Sequence, residues 1–575
     1  MPHVVTQPCC SDASCVYACP VNCIHPTPDE PDFLTAEMLH IDPEACVDCG
    51  ACVSACPVDA IVPEAQLLPS ELVFLDINAS FYRERRDRPI LAPVIPAPVV
   101  APGKAPLRVA IVGSGPSAMY AADELLTLPG TQVNIFDRLP VPYGLVRAGV
   151  APDHQRTKGV TKLFDKFAEQ DGLEYYLNVE IGADTDSGAI THDELLAGHH
   201  AVIYAVGASS DRKLGIPGEG LPGSSSATDF VAWYNGDARH SGETYDLSHR
   251  RAVIIGNGNV ALDVARILTV DPETLAGTDI SRQALEALRA SKIEEVVIIG
   301  RRGPGQSAFT VPEFAGLIET PGIDVAIHPG EDLLDADTKR RKGEAGLSHA
   351  VEHKLALLDS LDARESAGGR TITLRYLLSP TEITGDDAVT GIVLSRNAYA
   401  GGAARIESTD ETVRLDAGLV LTSIGYRGVA TAGVPFDEAA GVIPNAGGRV
   451  LREPAGEVLP GAYVTGWIKR GPSGFIGTNK SCAQETVNRL VDDYNDGELT
   501  APATTPREFD KLVRRRQPTV VDRAGWHAID RAERELGARG GRVREKITDP
   551  AALVEVAAQA APPAGARKLL RSLRR

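Results

Sequence analysis

No run of about 18 consecutive apolar residues occurs in this 575-residue chain, which excludes a hydrophobic membrane-spanning helix. The opening MPHVVTQPCC lacks both a basic start and an apolar stretch, so the expectation is a cytoplasmic protein in a reducing compartment. Positive charge is scarce: 58 Lys and Arg stand against 77 Asp and Glu, a formal net charge of -19. Binding a phosphate backbone needs clustered Lys and Arg, so no nucleic-acid partner is expected. The shortage is complete at the start, where residues 1–62 hold nine Asp or Glu and no Lys or Arg. Such a segment attracts basic surfaces. Cysteine is all but absent after residue 56, with Cys482 alone beyond it and read as a core residue.

The nine clustered cysteines form an internal repeat. CVYACPVNCI at 15–24 matches CVSACPVDAI at 52–61, which places Cys15 on Cys52, Cys19 on Cys56, Asp12 on Cys49 and Cys9 on Cys46. The second copy reads C-x2-C-x2-C-x3-C-P; the first has Asp12 in place of its second cysteine. Thiolates at this spacing suit iron-sulfur cubes, three ligands from the tight loop and the fourth, before proline, from the other copy. Cys46, Cys49, Cys52 and Cys19 are therefore expected to hold a 4Fe-4S cluster, and Cys9, Cys15 and Cys56 a second cluster. At the second site Asp12 leaves either a 3Fe-4S cluster, the favoured reading, or a 4Fe-4S cluster with a labile carboxylate ligand. Cys10 can replace Cys9 if the loop slips by one, and Cys23, which aligns with Ala60, reads as a small packed residue. Structural zinc is the plainer alternative, weakened by two aligned C-P steps. The segment resembles a bicluster bacterial ferredoxin of the seven-iron type.

A proline-rich stretch follows, with Pro89, Pro93, Pro96, Pro98, Pro102 and Pro106; it reads as an extended linker or as a strap anchored by Phe74, Phe81 and Tyr82. From Leu107 short β-branched runs alternate with glycine turns and Ala/Leu-rich helical segments, an α/β pattern. GSGPSA at 113–118 follows the strand-like LRVAIV and opens a helical run, so Gly113, Gly115 and Ala118 are expected to cradle a dinucleotide pyrophosphate. The next strand ends at Asp137, where a carboxylate can bind a ribose hydroxyl. A second loop, GNGNVA at 256–261, is followed by EVVIIG and then Arg301 and Arg302, a pair suited to a 2′-phosphate and so to NADP. The long interval between them calls for an inserted helix around 271–291. No C-x4-C pair follows the first loop, which argues against a disulfide reductase.

PYGLVRAGVAPDHQRTK at 142–158 and GWIKRGPSGFIGTNK at 466–480 match the adrenodoxin-reductase family of ferredoxin-NADP reductases, and the resemblance runs from about 107 to 545. It implies FAD beside Leu145, Val179 and Trp467, with Gly474, Phe475 and Ile476 presenting backbone to the isoalloxazine. It also implies NADP contacts at Arg212, Asn257, Gly258, Asn259, Val260, Arg301, Arg302 and Glu313. His154 and Asp153, in the turn that this family places near the flavin, are the expected proton relay. A second acid that family members carry three positions after Glu313 is here Gly316. A helix from about Thr478 to Tyr494 would aim its N-terminal dipole at the flavin.

The expected fold is a ferredoxin-like α+β module plus an α/β flavoprotein of two dinucleotide-binding domains, the NADP domain inserted in the FAD domain. The expected boundaries are 1–62 for the ferredoxin, 63–106 for the linker, 107–210 and 428–575 for the FAD domain, and 211–427 for the NADP domain. The resemblance implies a ferredoxin-NADP(+) reductase: hydride from NADPH to FAD, single electrons to the fused clusters, then an external acceptor such as a ferredoxin or cytochrome-type protein, or the reverse flow. Alternatives are an electron-delivery subunit of a larger synthase and a non-enzymatic redox sensor. Arg514 to Arg516 are a candidate docking patch for the acidic module.

Overall fold

The computed structural model describes residues 2–83, 89, 91–92, 96–328, 333–344, 346–364, 366, 368–401 and 404–560. Pro93 of the proline-rich stretch and the basic end at 566–575 lie outside them. The chain folds as two compact units, each assembled from separate pieces of sequence. One comprises Met1–Pro93, Ala151–Thr157 and Asp211–Gly425; the other comprises Val94–Val150, Lys158–Ser210 and Tyr426–Arg575. Along the chain the Asp211–Gly425 piece thus interrupts the second unit.

In the first unit the cysteine segment carries its sequence repeat into the backbone. Strand His3–Val5 pairs antiparallel with Ile61–Pro63, and Ile24–His25 with His40–Ile41. Short helices Ser14–Ala18 and Ala51–Ala55 end on Cys19 and Cys56, both extended at φ -74° and -75° with ψ 118° and 119°. A following proline drives its predecessor out of the helical region, so each C-P step stops the helix and turns the cysteine aside. Positive φ recurs at the repeat offset, Ser11 with Asp48, Ala13 with Gly50 and Asn22 with Asp59.

Residues 63–83 are not a free linker. Helix Val73–Ser80 buries Phe74 and Ile77 in the module core. Its Asn78 Oδ1 accepts from the N–H groups of Val5 (3.2 Å) and Ile41 (2.9 Å), and its Nδ2 donates to the carbonyls of Val5 and Phe74. Tyr82 donates to the His40 carbonyl at 2.7 Å, and Phe81 stacks on His40. The strap alternative describes this segment, because an eight-residue helix with three aromatic anchors buries more than an extended chain does. In the second unit the stretch before Leu107 is tied to helix Thr478–Asp496, with Tyr494 donating to the Ala105 carbonyl and Lys104 to the Tyr494 carbonyl.

The first unit also holds a parallel six-stranded sheet, in the order Ser224–Ser226, Leu419–Thr422, Arg251–Ile255, Glu295–Ile299, Arg370–Arg375 and Ile323–Ile327. The apolar run of Arg251–Ile255 is central and covered on both faces, as parallel sheets require. The inserted helix around 271–291 is present as two, Pro272–Leu275 and Arg282–Arg289. The second unit is built on a seven-stranded sheet ordered Asn445–Ala446, Arg449–Leu451, Val458–Val464, Ala201–Tyr204, Arg108–Val112, Gln132–Asp137 and Leu173–Leu177. Arg108–Val112 again sits inside the sheet and delivers its glycine turn at the carboxyl edge, where such folds bind ligands. Among the described residues no helix is long and apolar enough to cross a membrane.

Candidate functional site

Cys19, Cys46, Cys49 and Cys52 line one recess with His3, Ile24 and Gly50. These are the four thiols assigned to the first cluster. Cys23 lines it too, its Sγ 3.4 Å from that of Cys19. The bond shared by the two thiols lowers Cys19 and raises Cys23 from the ordinary thiol range. Cys23 is thus buried, as expected, but beside a ligand; the C-x3-C spacing from Cys19 was the signal for that. Cys9, Cys15 and Cys56 lie close enough to perturb one another, around Asp12. Burial pushes Cys9 up to about 11 and Cys15 well above its ordinary range. Cluster binding would have to work against that burial, by removing protons and bonding sulfur to iron. The Asp12 carboxylate turns back on Ser14, accepting from its hydroxyl and from its N–H at 3.3 Å. Donor chemistry at both sites therefore fits iron-sulfur clusters: four thiols at one, three at the other.

Strand Arg108–Val112 delivers Gly113 at φ 104°, where a Cβ would lie 2.4 Å from the Ala205 carbonyl oxygen. Gly115 caps helix Pro116–Leu126 and has open space where its side chain would be, with Ala118 fully buried behind it. Asp137 Oδ2 accepts from the Ser114 N–H (2.9 Å) and hydroxyl (2.6 Å), and Oδ1 from the Leu139 N–H. The carboxylate thus braces the loop while lining a cavity of about 310 Å³ with Gly113, Arg138 and Val179. Burial pushes its carboxyl above the ordinary range, and the bonds from Ser114 and Leu139 oppose that.

Elsewhere in the same unit Leu145 stands 37% exposed on helix Gly144–Ala148, and Trp467 packs on Tyr426 with centroids 5.4 Å apart. The loop Gly474 to Ile476 runs into helix Thr478–Asp496, two residues longer than expected at its end. Phe475 donates its N–H to Thr478 Oγ1 at 2.9 Å, and Asn479 Nδ2 donates to the carbonyls of Phe475 and Ile476. Phe475 thus bonds both its backbone groups inside the loop, and the Ile476 carbonyl is bonded there too. Ser117 and Asn479, near the N-termini of their helices, bond at 2.8 Å, so two positive dipole ends converge beside this cradle. A glycine turn that a side chain would fill, an acid at the next strand end and paired helix N-termini fit FAD. Cys482 is buried and accepts from the Gly466 N–H, a core role.

The second loop repeats the device in the other unit. A Cβ on Gly256, at φ 109°, would lie 2.1 Å from the Ser423 carbonyl oxygen, and Gly258 caps helix Asn259–Thr269 with open space beside it. Asn257 and Asn259 accept from the N–H groups of Ala308 (3.4 Å) and Thr310 (2.8 Å), and Val260 stands half-buried in the first turn. Strand Glu295–Ile299 leads to Arg301 and Arg302, both exposed and, among the described residues, with no carboxylate partner. Arg212, also exposed, donates its N–H to the Gly425 carbonyl, joining the two ends of the inserted piece. These residues fit NADP.

The turn Ala151–Thr157 belongs to this first unit and brings His154 Nε2 to 3.9 Å from Glu313 Oε2 on helix Val311–Ile318. His154, Glu313 and Asp263 offer ligand atoms within 4.8 Å of one another. Asp153 takes a different part. Its carboxylate accepts from Arg266 Nε (2.6 Å) and Nη2 (3.0 Å), and the same guanidinium holds Asp263 at 2.8 Å. Burial raises the Asp153 carboxyl, but the Arg266 charge outweighs it and holds the group at about 2. Asp153 is therefore corrected from proton relay to counterion, while His154 and Glu313 remain together. Arg514 and Arg516 pair with Asp510 and Glu194, while Arg515 between them stands exposed.

Residues 107–302 match the model for pyridine nucleotide-disulphide oxidoreductases, and residues 39–62 match the 4Fe-4S binding domain. The Mycobacterium tuberculosis NADPH-ferredoxin reductase FprA is 45% identical over 466 residues, covering 78% of this chain and 99% of its own length. The structure described as Mycobacterium tuberculosis FprA in complex with NADPH covers 79% of this chain and 100% of its own, with a TM-score of 0.72. The Mycobacterium leprae protein named probable ferredoxin/ferredoxin–NADP reductase is 54% identical over 575 residues, 98% of this chain and 99% of its own length. A match that runs through both the cysteine module and the nucleotide units places this chain in the ferredoxin/ferredoxin–NADP reductase family.

Proposed function

We propose that the chain carries electrons between NADPH, FAD and two iron-sulfur clusters of its own N-terminal module, and from there to or from an external protein such as a ferredoxin or a cytochrome. The observation that supports it best is the coexistence of two thiol sets and two glycine-loop dinucleotide cradles in one chain. The relatives' names, and a solved relative described with NADPH, support the same reading. Bound FAD would convert a hydride into single electrons, and the clusters would store electrons one at a time.

Gly113, Gly115, Ala118, Asp137, Leu145, Val179, Trp467, Gly474, Phe475 and Ile476 would hold FAD. Arg212, Asn257, Gly258, Asn259, Val260, Arg301, Arg302 and Glu313 would hold NADP, the two guanidinium groups on the 2′-phosphate. Cys19, Cys46, Cys49 and Cys52 would hold a 4Fe-4S cluster. Cys9, Cys15 and Cys56 would hold a 3Fe-4S cluster, a reading favoured by the Asp12 carboxylate being spent on Ser14. His154 would hold a proton at Nε2 and pass it through one bridging water to Glu313 Oε2, 3.9 Å away. Seven of the clustered thiols acting as ligands suit the cytoplasm. Residues 1–62 would serve as the ferredoxin part, 63–106 as a strap whose first portion packs on it, 107–210 and 428–575 as the FAD part without the turn Ala151–Thr157, and 211–427 as the NADP part.

The test is anaerobic turnover. Purified protein with NADPH should reduce cytochrome c, and Cys49→Ser should depress this while NADPH-dependent reduction of ferricyanide, a direct flavin oxidant, persists. Absence of both activities in protein with full flavin content would overturn the proposal.

A further inference from the structure

Helix Val311–Ile318, which carries Glu313, is gripped at two points by the cysteine module of the same unit. Glu37 accepts from the Val311 N–H at 2.6 Å, at the first turn of the helix, and pairs with Lys354 at 2.8 Å. Two residues further along, in the same turn, Gln7 Nε2 donates to Glu313 Oε2 at 2.9 Å, the same oxygen that lies 3.9 Å from His154 Nε2. Gln7 reaches this oxygen only because residue 316 has no side chain: a Cβ there would lie 2.4 Å from the Gln7 nitrogen. The Gln7 backbone is fixed in turn, since fully buried Thr6 bonds the Ala60 carbonyl and its own carbonyl accepts from the Cys9 N–H. Gln7, His154, Glu313 and Gly316 border one cavity of about 300 Å³.

We propose that Gln7 is a positioning residue of the reductase: the cysteine module lends its amide, through the gap at Gly316, to the Glu313 oxygen that faces His154. This rests on the reading of His154 and Glu313 as the proton pair. The amide fixes the Glu313 oxygen in place toward His154, and losing an N–H donor disfavours the ionised form of any carboxylate. The other charged groups facing the pair or its cavity are Asp263 and Arg266 on helix Asn259–Thr269, Asp153 and Arg156 in the turn, Glu71, and Glu319. The module is then part of the reductase machinery as well as the carrier of the clusters.

The experiment is a pH profile of kcat for NADPH-dependent ferricyanide reduction by the flavin- and iron-loaded full chain. Gln7→Leu should move the acid limb up by about half a unit. Gly316→Ala, which leaves the cysteine loop untouched and expels the amide, should do the same even if Gln7→Leu loses iron. The double variant should move it no further, because both changes remove one contact. Adding Gly316→Gln to Gln7→Ala should return the limb toward wild type. An unmoved limb in both single variants, with Glu313→Gln moving it, would overturn the role of Gln7 alone. An unmoved limb in Glu313→Gln would overturn the proton pair and this inference with it.

Discussion

Arg301 and Arg302 stand exposed at the end of strand Glu295–Ile299, with no carboxylate partner among the described residues, so their charge is available to a ligand. Replacing both with Ala should raise the KM for NADPH on the order of 10- to 100-fold, as expected for losing a charge-assisted contact, and leave NADH nearly unchanged. Steady-state kinetics with the two nucleotides checks this; equal losses with both would contradict it. Asp153 makes a second residue-scale prediction. Its carboxyl, held at about 2 against an ordinary 3.8, stabilises the fold fully above roughly pH 4 and loses that contribution as pH falls toward 2. Urea midpoints of wild type and Asp153→Asn should therefore differ at pH 6 and converge only as the pH falls to about 2. The Asp153 role was not legible in sequence, because its partner Arg266 lies 113 residues away and no local spacing announces a pair made through tertiary packing. Arg301 and Arg302 were legible, since adjacent cations at a strand end are a local pattern.

At the scale of elements, what was readable followed periodicity and what was hidden lacked it. The cysteine repeat implied two similar halves, and paired positive-φ residues at Ser11/Asp48 and Ala13/Gly50 bear this out in the backbone. Both glycine loops sit where strand and helix patterns meet, so the sequence alone located them. Helix Val73–Ser80 was obscured by the prolines around it, being too short to display a period. Its Asn78 satisfies three residues' backbone groups in a buried site. Asn78→Leu should leave those groups unpaired and cost about 2 to 4 kcal/mol. Chemical denaturation of the iron-loaded protein reads this directly, and a loss under about 0.5 kcal/mol would mean the helix is held by Phe74 and Ile77 alone. Gly113→Ala should abolish flavin retention, since its Cβ would meet a strand carbonyl at 2.4 Å. Yellow protein after desalting would contradict that.

For the whole molecule the charge pattern and the cluster chemistry belong together. A module with nine acids and no base gains further negative charge when thiolates bind iron and sulfide. Basic redox partners are therefore favoured, and their rates should fall with salt. Iron content separates the two readings of the Asp12 site: seven irons per chain in wild type, and eight once Asp12→Cys restores the fourth thiol of the repeat.

The central claim is that two nucleotide cradles and two thiol sets form one electron path. Anaerobic titration of the flavin- and iron-loaded protein with NADPH, followed by flavin absorbance and by the EPR of the clusters, tests it most directly. The account predicts that NADPH bleaches the flavin and that cluster signals change in the same titration. Bleaching of the flavin while clusters that dithionite can reduce stay oxidised, even with substoichiometric mediator dyes present, would contradict it.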